Sequence, residues 1–215
     1  MTTVLLAHGS PDPRHSATLE RLRARVAGPL ADEGRGETHL VYIENDHPRP
    51  EELGPRITDD LTVVPMLITP AFHARVDVPA AVRTLGAGGG RARVTSALGG
   101  HPLMLTAVEE SLRAAGHDEG SHVLLVAGGS SSGQAGQSLR TLLDAHPRPG
   151  WMTMTLAAPR AGATRDRVVV PATLAEGVLH DKVAALAAAG GSPFVPGGLA
   201  DTPALARLVL HRVLG

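Results

Sequence analysis

The sequence contains no cysteine, a single lysine (Lys182), and only one Trp, one Tyr and two Phe among its 215 residues. The absence of cysteine excludes disulfide bonds, zinc–thiolate sites, iron–sulfur clusters and thiol catalysis. It is typical of cytosolic proteins, and we expect a cytoplasmic location. Any P-loop lysine, Schiff-base lysine or Ser–Lys dyad would depend on Lys182. Histidine, present 11 times, and carboxylate are therefore the side chains available to bind a transition metal.

The sequence also has no marked excess of basic or acidic residues and no long apolar segment. The chain has 20 basic and 21 acidic residues and a formal net charge of −1. Without a basic excess or many aromatic rings, it lacks the usual means of binding nucleic acid. No apolar run approaches the ~20 residues of a membrane span, and the first residues lack the basic start of a signal peptide. We therefore expect neither a nucleic-acid partner nor a membrane partner.

The sequence pattern indicates an internal duplication of one strand–helix unit. Three pairs of segments match in order: 4–7 with 123–127, 63–65 with 168–171, and 98–104 with 199–205. Each half alternates apolar strands with helical patterns, which predicts an α/β fold of two tandem domains, each a mostly parallel sheet flanked by helices. The predicted first domain comprises residues 1–117, and 118–215 form a degenerate repeat of it.

Polar side chains follow three predicted strands of the first half. His8 comes after the first strand, Glu44 after the second and His73 after the third. The carboxyl ends of parallel strands share one edge of a sheet, so we expect these side chains to converge. The second half lacks this set, since Gly128 stands where His8 would be and His180 lies one place from the match to His73. One half therefore carries the predicted chemistry, while the role of His180 stays open.

Several of these segments together resemble the sirohydrochlorin chelatase family, the ATP-independent class II chelatases that insert cobalt or iron into sirohydrochlorin. The matching segments are Leu-Ala-His-Gly-Ser at 6–10, Val-Pro-Met-Leu at 64–67, His-Ala-Arg-Val-Asp-Val-Pro at 73–79 and Leu-Gly-Gly-His-Pro at 98–102. The resemblance implies the long form, in which two chelatase-like domains face across a cleft. It also implies that His8 and His73 handle the metal and that Glu44 assists. Because Asn45 and the residues after it depart from the family pattern, Asp46 and His47 stay open as substitutes for Glu44.

The chemistry of the implied reaction suits these residue types. Metal insertion removes two protons from the tetrapyrrole, and an imidazole can both bind Fe²⁺ or Co²⁺ and accept a proton. Side chains in the loops of the same edge are predicted to hold the carboxylates of the substrate: Ser10, Arg14, Arg49 and Arg75. We expect no cofactor besides the substrate metal. This metal is expected to be Co²⁺ or Fe²⁺, and Ni²⁺ stays open as an alternative. A monomer would suffice because one chain holds both halves.

Two other functions stay open. A non-catalytic metal or tetrapyrrole binder of the same fold would need the same pocket, so only turnover separates it from an enzyme. A histidine-dependent phosphatase would use His8 as its nucleophile, although Ala7 stands where that class has arginine and only Arg14 could replace it. The remaining histidines are expected outside the site, with His101 at a helix start and the others on the surface: His15, His39, His117, His122, His146 and His211.

Overall fold

The chain folds into two parallel β-sheets, and a computed structural model describes residues 1–68, 72–118, 120–128 and 134–215, without the side chains of 72–75 and 134–135. The first sheet has the strand order β2-β1-β3-β4 and the second the order β6-β5-β7. The strands span Thr2–Ala7 (β1), Thr38–Tyr42 (β2), Leu61–Pro65 (β3), Ala92–Val94 (β4), Val123–Ala127 (β5), Trp151–Thr155 (β6) and Val168–Pro171 (β7). Every named strand pair of the described residues is parallel, so the strands of each sheet end along one edge.

Helices follow the strands on both faces of the sheets. Those of the described residues span Pro13–Asp32 (α1), Pro50–Leu53 (α2), Phe72–Leu85 (α3), Leu103–Ala114 (α4), Gln134–Ala145 (α5), Val178–Ala189 (α6) and Pro203–Leu214 (α7). Helix α1 shows why the chain is helical here. The Asp12 side chain caps it by accepting a hydrogen bond from the Arg14 amide, and Pro13 fills the first helical position. Its buried stripe recurs at helical spacing: Leu19, Leu22, Val26 and Leu30.

The two sheets repeat each other residue by residue. Leu6 pairs with Pro65 in the first sheet as Val126 pairs with Pro171 in the second. Likewise, Val63 pairs with Val94 in the first sheet as Val169 pairs with Phe194 in the second half. The last of these pairs is an isolated bridge, so the second half keeps a single contact where the first half has β4. The predicted α/β fold with two sheets is confirmed.

One core joins the two halves. Along each central strand, alternate residues face opposite ways. Leu5 and Leu125 belong to one shared apolar cluster, to which α1, α4 and α7 also contribute. On the other faces, Val4 packs in a smaller cluster with residues of α3, and Leu124 packs with residues of α6. The two sheets therefore present their inner faces to common helices.

Two elements differ from the sequence-based expectation. The residue pattern predicts a helix over 78–85, whereas α3 begins at Phe72 and holds Pro79 in its interior. The pattern also predicts a fourth strand over 93–98, but β4 ends at Val94, and the last ladder bond runs from the Thr95 amide to the Val63 carbonyl at 2.9 Å. Among the described residues, no helix combines the length and apolar character of a membrane span.

Candidate active site

A cleft of about 540 Å³ opens at the carboxyl ends of the strands, between the two halves. Polar side chains on its walls come from both halves: His8, Ser10, His15 and Glu44 from the first, and Glu176 and His180 from the second. Apolar side chains line the rest of it, among them Met66, Leu67, Leu174 and Leu179. The cleft therefore combines an apolar lining with a small number of polar groups, as ligand sites commonly do.

The chain brings His8 and Glu44 side by side. Hydrogen bonds continue past the ends of β1 and β2, from the Ile43 amide to the Ala7 carbonyl and from the Glu44 amide to the His8 carbonyl, both 2.9 Å. The His8 Nδ1 lies 3.3 Å from the Glu44 Oε1. Gly9 makes this approach possible, because its φ is +94° and a Cβ there would overlap the Glu44 carbonyl oxygen. An imidazole and a carboxylate thus meet on one wall.

The two substitutes considered for Glu44 have other contacts. The Asp46 Oδ2 accepts a hydrogen bond from the Ser10 amide at 3.1 Å and so holds the loop after β1. The His47 Nδ1 lies 2.9 Å from the Glu52 carboxylate, at the start of α2. That contact and the Arg49 amide lower the pKa of Glu52, the amide most strongly. Of these three alternatives, Glu44 is the one whose carboxylate lies beside His8.

His73 and Arg75 fall in the first turn of α3, which follows β3, but their side chains lie outside the described residues. Their convergence with His8 stays a prediction. Arg49 is exposed, its amide donates to the Glu52 Oε2 at 2.7 Å, and it is not one of the residues that line the cleft. Ser10 does line the cleft, where its Oγ accepts a hydrogen bond from the Asp12 amide at 3.2 Å.

Arg14 joins the two halves at the edge of the cleft. Its guanidinium lies 2.6 Å from the Asp12 carboxylate at the start of α1 and 2.6 Å from the Asp181 carboxylate in α6. The hydrogen bond from the Arg14 side chain is the main reason why the pKa of Asp12 falls to about 2, and the same side chain lowers the pKa of Asp181. The two carboxylates in turn raise the pKa of Arg14. The sequence predicts that Arg14 holds carboxylates of the substrate, whereas in the structure its guanidinium bridges two carboxylates of the chain itself.

Two histidines prove to be part of the cleft. His15 was expected on the surface, and this was wrong: it lines the cleft half-buried, and its buried Nδ1 has no hydrogen-bond partner among the described residues. Burial is the main cause that lowers its pKa. His180 is 5% exposed. Helical spacing could have found both, since His15 precedes Leu19 by four residues and His180 precedes Val183 by three, each on a buried stripe.

The second half has no such pair at the matching positions. Gly128 takes the place of His8, and the Leu179 side chain covers it, so that a Cβ on Gly128 would lie 2.8 Å from the Leu179 Cδ2. The Leu156 amide bonds the Ala127 carbonyl as Ile43 bonds Ala7, which puts Ala157 where Glu44 stands. Among the described side chains, which exclude His73, no group of three His, Asp or Glu could hold a metal ion.

Two α/β halves thus meet around one cleft, with an imidazole–carboxylate pair at the strand ends of the first half. The family model for CbiX matches residues 2–115, more than half of the chain. The chain belongs to the CbiX family. A search of curated proteins found no match.

Solved structures share the fold. A multi-domain protein from Deinococcus radiodurans, described as similar to chelatases with two additional domains, matches with a TM-score of 0.75 and 20% identity over 100% of this chain and 55% of its own. SirB from Bacillus subtilis with Fe³⁺ matches with a TM-score of 0.72 and 20% identity over 99% of this chain and 93% of SirB. The sirohydrochlorin chelatase SirB from Bacillus subtilis subspecies spizizenii, in complex with cobalt, gives 0.73 and 18% over the same shares. This chain thus spans about half of the first protein and nearly all of SirB, and at these identities the likeness concerns the fold.

Proposed function

We propose that this protein is an ATP-independent chelatase that inserts Co²⁺ or Fe²⁺ into sirohydrochlorin, in siroheme or cobalamin biosynthesis. The observation that carries the proposal is the His8–Glu44 pair, 3.3 Å apart on the wall of a cleft of about 540 Å³. Membership of the CbiX family supports it, as do the cobalt and Fe³⁺ held by SirB structures of the same fold.

The reaction exchanges protons for a metal. The free macrocycle loses two N–H protons, the nitrogen electron pairs bind the divalent ion, and the two protons need acceptors. The His8 imidazole can bind the incoming ion and, once the ion has moved on, take up a proton. The Glu44 carboxylate beside it can orient the imidazole or take the second proton. We assign His73, which follows β3, to the same metal-handling role. A site with few ligands suits this task, because the metal must leave with the product.

The apolar lining suits the face of a flat macrocycle. Met66 and Leu67 come from the first half, and Leu174 and Leu179 come from the second. Such side chains can cover both faces of a ring held between the halves and exclude water from the ion as it is transferred. We assign the binding of the substrate carboxylates to Ser10 on the cleft wall, to Arg49 close to Glu44 in sequence, and to Arg75 close to His73 in sequence.

The identity of the metal is a finer part of the proposal. Histidine and carboxylate accept Fe²⁺, Co²⁺ and Ni²⁺, and affinity rises in that order whatever the biological use. We therefore expect relative insertion rates, rather than binding constants, to identify the physiological ion. We further propose that the enzyme works as a cytoplasmic monomer with residues 1–117 and 118–215 as its two domains. Both walls of the cleft come from one chain, and the cysteine-free composition is typical of a reducing compartment.

The test is anaerobic insertion of Co²⁺ and of Fe²⁺ into sirohydrochlorin, followed by the visible spectrum, for the wild type and His8→Ala. We expect faster insertion by the wild type than by His8→Ala or by the uncatalysed control. A spectral shift on mixing without turnover would instead mean a tetrapyrrole carrier. No shift at all would exclude both, and phosphorylation of His8 by a phosphate ester would then support a phosphatase.

A further inference from the structure

His180 stands out among the side chains of the cleft because it comes from the half that lacks the His8–Glu44 pair. It lies in the first turn of α6 and lines the cleft, yet it is only 5% exposed. The Phe194 ring packs edge-on against it, with ring centroids 5.2 Å apart. An aromatic neighbour thus holds the imidazole of a residue that lines the cleft.

A carboxylate fixes the tautomer of this imidazole. The His180 Nδ1 lies 3.1 Å from the Asp181 Oδ1. A carboxylate oxygen only accepts hydrogen bonds, so the Nδ1 carries the proton and the Nε2 carries the lone pair. The Asp181 carboxylate is itself held by the Arg14 guanidinium, at 2.6 and 3.3 Å. This carboxylate–imidazole arrangement orients a base nitrogen in the way that supporting carboxylates orient catalytic and metal-binding histidines.

That base nitrogen has no hydrogen-bond partner within the part of the chain that the structure describes. The Nε2 is buried and accepts no hydrogen bond from any described residue. Buried polar atoms are nearly always paired, and one left unpaired lowers stability, so a leucine would fill this part of α6 at lower cost than a histidine. An oriented, unpaired acceptor beside a ligand cleft fits a site that awaits a donor from the ligand. The N–H groups of a metal-free tetrapyrrole are such donors.

We propose that His180 is a second proton acceptor for metal insertion, acting from the second half of the molecule on the macrocycle whose metal is handled by His8. This proposal rests on the proposed chelatase function. In the step, a ring N–H bond breaks, its electron pair stays on the nitrogen and binds the entering divalent ion, and the proton passes to the His180 Nε2, which the bound macrocycle must first uncover because it is buried in the free protein. The imidazolium is stabilised by the Asp181 carboxylate and later releases its proton to water. His180 and His8 would thus take protons from opposite walls.

Other ionisable groups surround this position and bear on its pH dependence. Asp181 of its own helix, Arg14 of α1 and Asp12 just before α1 form an ion-paired chain, and Lys182 follows Asp181 in α6. Those on the cleft walls are His8, His15, Glu44 and Glu176. The test must therefore separate His180 from His15, whose buried Nδ1 also has no hydrogen-bond partner among the described side chains.

The variants are His180→Gln, which keeps a polar side chain without a base, and His180→Leu, which removes the orphaned acceptor. We expect insertion to slow by about a hundredfold in both, the lower end of the loss that follows removal of one acid–base group. Stability to heat should be kept, or raised in His180→Leu. The wild-type rate should rise with pH across the range in which imidazoles titrate, because the acceptor must be neutral, and this rise should weaken in both variants. The matched control is His39→Gln, since His39 also pairs with a carboxylate, Glu37, at 3.2 Å but does not line the cleft.

Two results would overturn the proposal even though the wild type is a chelatase. One is an insertion rate in His180→Gln and His180→Leu within about twofold of wild type while His8→Ala is inactive. The other is loss of the same pH-dependent rise in His15→Gln but not in His180→Gln. Nitrogen-15 NMR of the resting protein gives a readout independent of activity: a proton on the Nδ1 of His180 supports the proposal, and a proton on the Nε2 contradicts it. Failure of the proposed function itself would look different, because the wild type would then insert no metal.

Discussion

The two halves of the molecule share a backbone frame and differ at the ends of their strands. Ala7 pairs with Tyr42 in the first sheet as Ala127 pairs with Thr155 in the second. One residue further on, the first half has His8, whereas the second has Gly128 covered by a leucine side chain. The same backbone thus accommodates a polar pair at the strand ends of the first half and apolar side chains at those of the second half.

This difference shows which residues are fixed by packing and which are free to carry chemistry. Strand residues such as Leu5 and Leu125 are fixed by packing, because each is buried in the shared core. The residues just beyond the strands make few packing demands, so they are free to carry chemistry. The second half contributes apolar side chains and His180 to the cleft, and it closes the cleft rather than repeating the first half's site.

The largest effect is expected from removing the imidazole of the first half. His8→Ala should slow metal insertion by about 10²–10⁴-fold, because it removes both a metal ligand and a proton acceptor. His8 is partly exposed beyond the end of β1, so the thermal midpoint should stay near that of the wild type. Stopped-flow absorbance measures the rate and calorimetry measures the midpoint, with His39→Ala as the control. Wild-type turnover in His8→Ala would place the chemistry elsewhere.

Matched glycine substitutions compare the two strand ends directly. Gly9→Ala puts a Cβ at φ +94° and onto the Glu44 carbonyl oxygen, so it should lower the free energy of unfolding by about 2–5 kcal/mol. Gly128→Ala meets only the end of the Leu179 side chain at 2.8 Å, which can turn away, and should cost under about 1.5 kcal/mol. Urea titration gives both values. Equal losses would mean that the two strand ends are equally constrained.

Matched leucines test whether the halves unfold together. Leu5→Ala and Leu125→Ala each open a cavity in the shared core and should each cost about 2–5 kcal/mol. Trp151, the one tryptophan of the sequence, lies in β6 and packs against that core. Its fluorescence should therefore report Leu5→Ala, a change in the other half, with the same midpoint as circular dichroism. A tryptophan midpoint that Leu5→Ala does not move would mean that residues 1–117 and 118–215 unfold separately.

The sequence was most informative where periodicity and order repeat. It predicted the α/β fold, the matching of 63–65 with 168–171 and the placing of His8 and Glu44 at strand ends, because apolar runs and their spacing reflect burial directly. It misplaced His15, since a histidine on an otherwise apolar helical stripe shows neither which element covers it nor how deeply. It also could not predict that Arg14 would bridge Asp12 and Asp181, because Arg14 and Asp181 lie 167 residues apart and their contact depends on how the halves dock.

The smallest effect concerns that docking contact. Arg14→Ala should lower stability only slightly at neutral pH, because the ion pairs with Asp12 and Asp181 are exposed. The Arg14 side chain, and after it the Arg14 amide, lower the pKa of Asp12 from 3.8 to about 2. The side-chain contribution to stability, which Arg14→Ala removes, is complete above the ordinary pKa and is lost as the pH falls towards 2. The difference in unfolding free energy between wild type and Arg14→Ala should therefore vanish in acid, as urea titrations across that range would measure. Arg14→Lys keeps the charge without the two-pronged geometry and should fall between them. A difference that persists unchanged to pH 2 would mean that Arg14 stabilises the joined halves through packing of its stem rather than through its carboxylate partners.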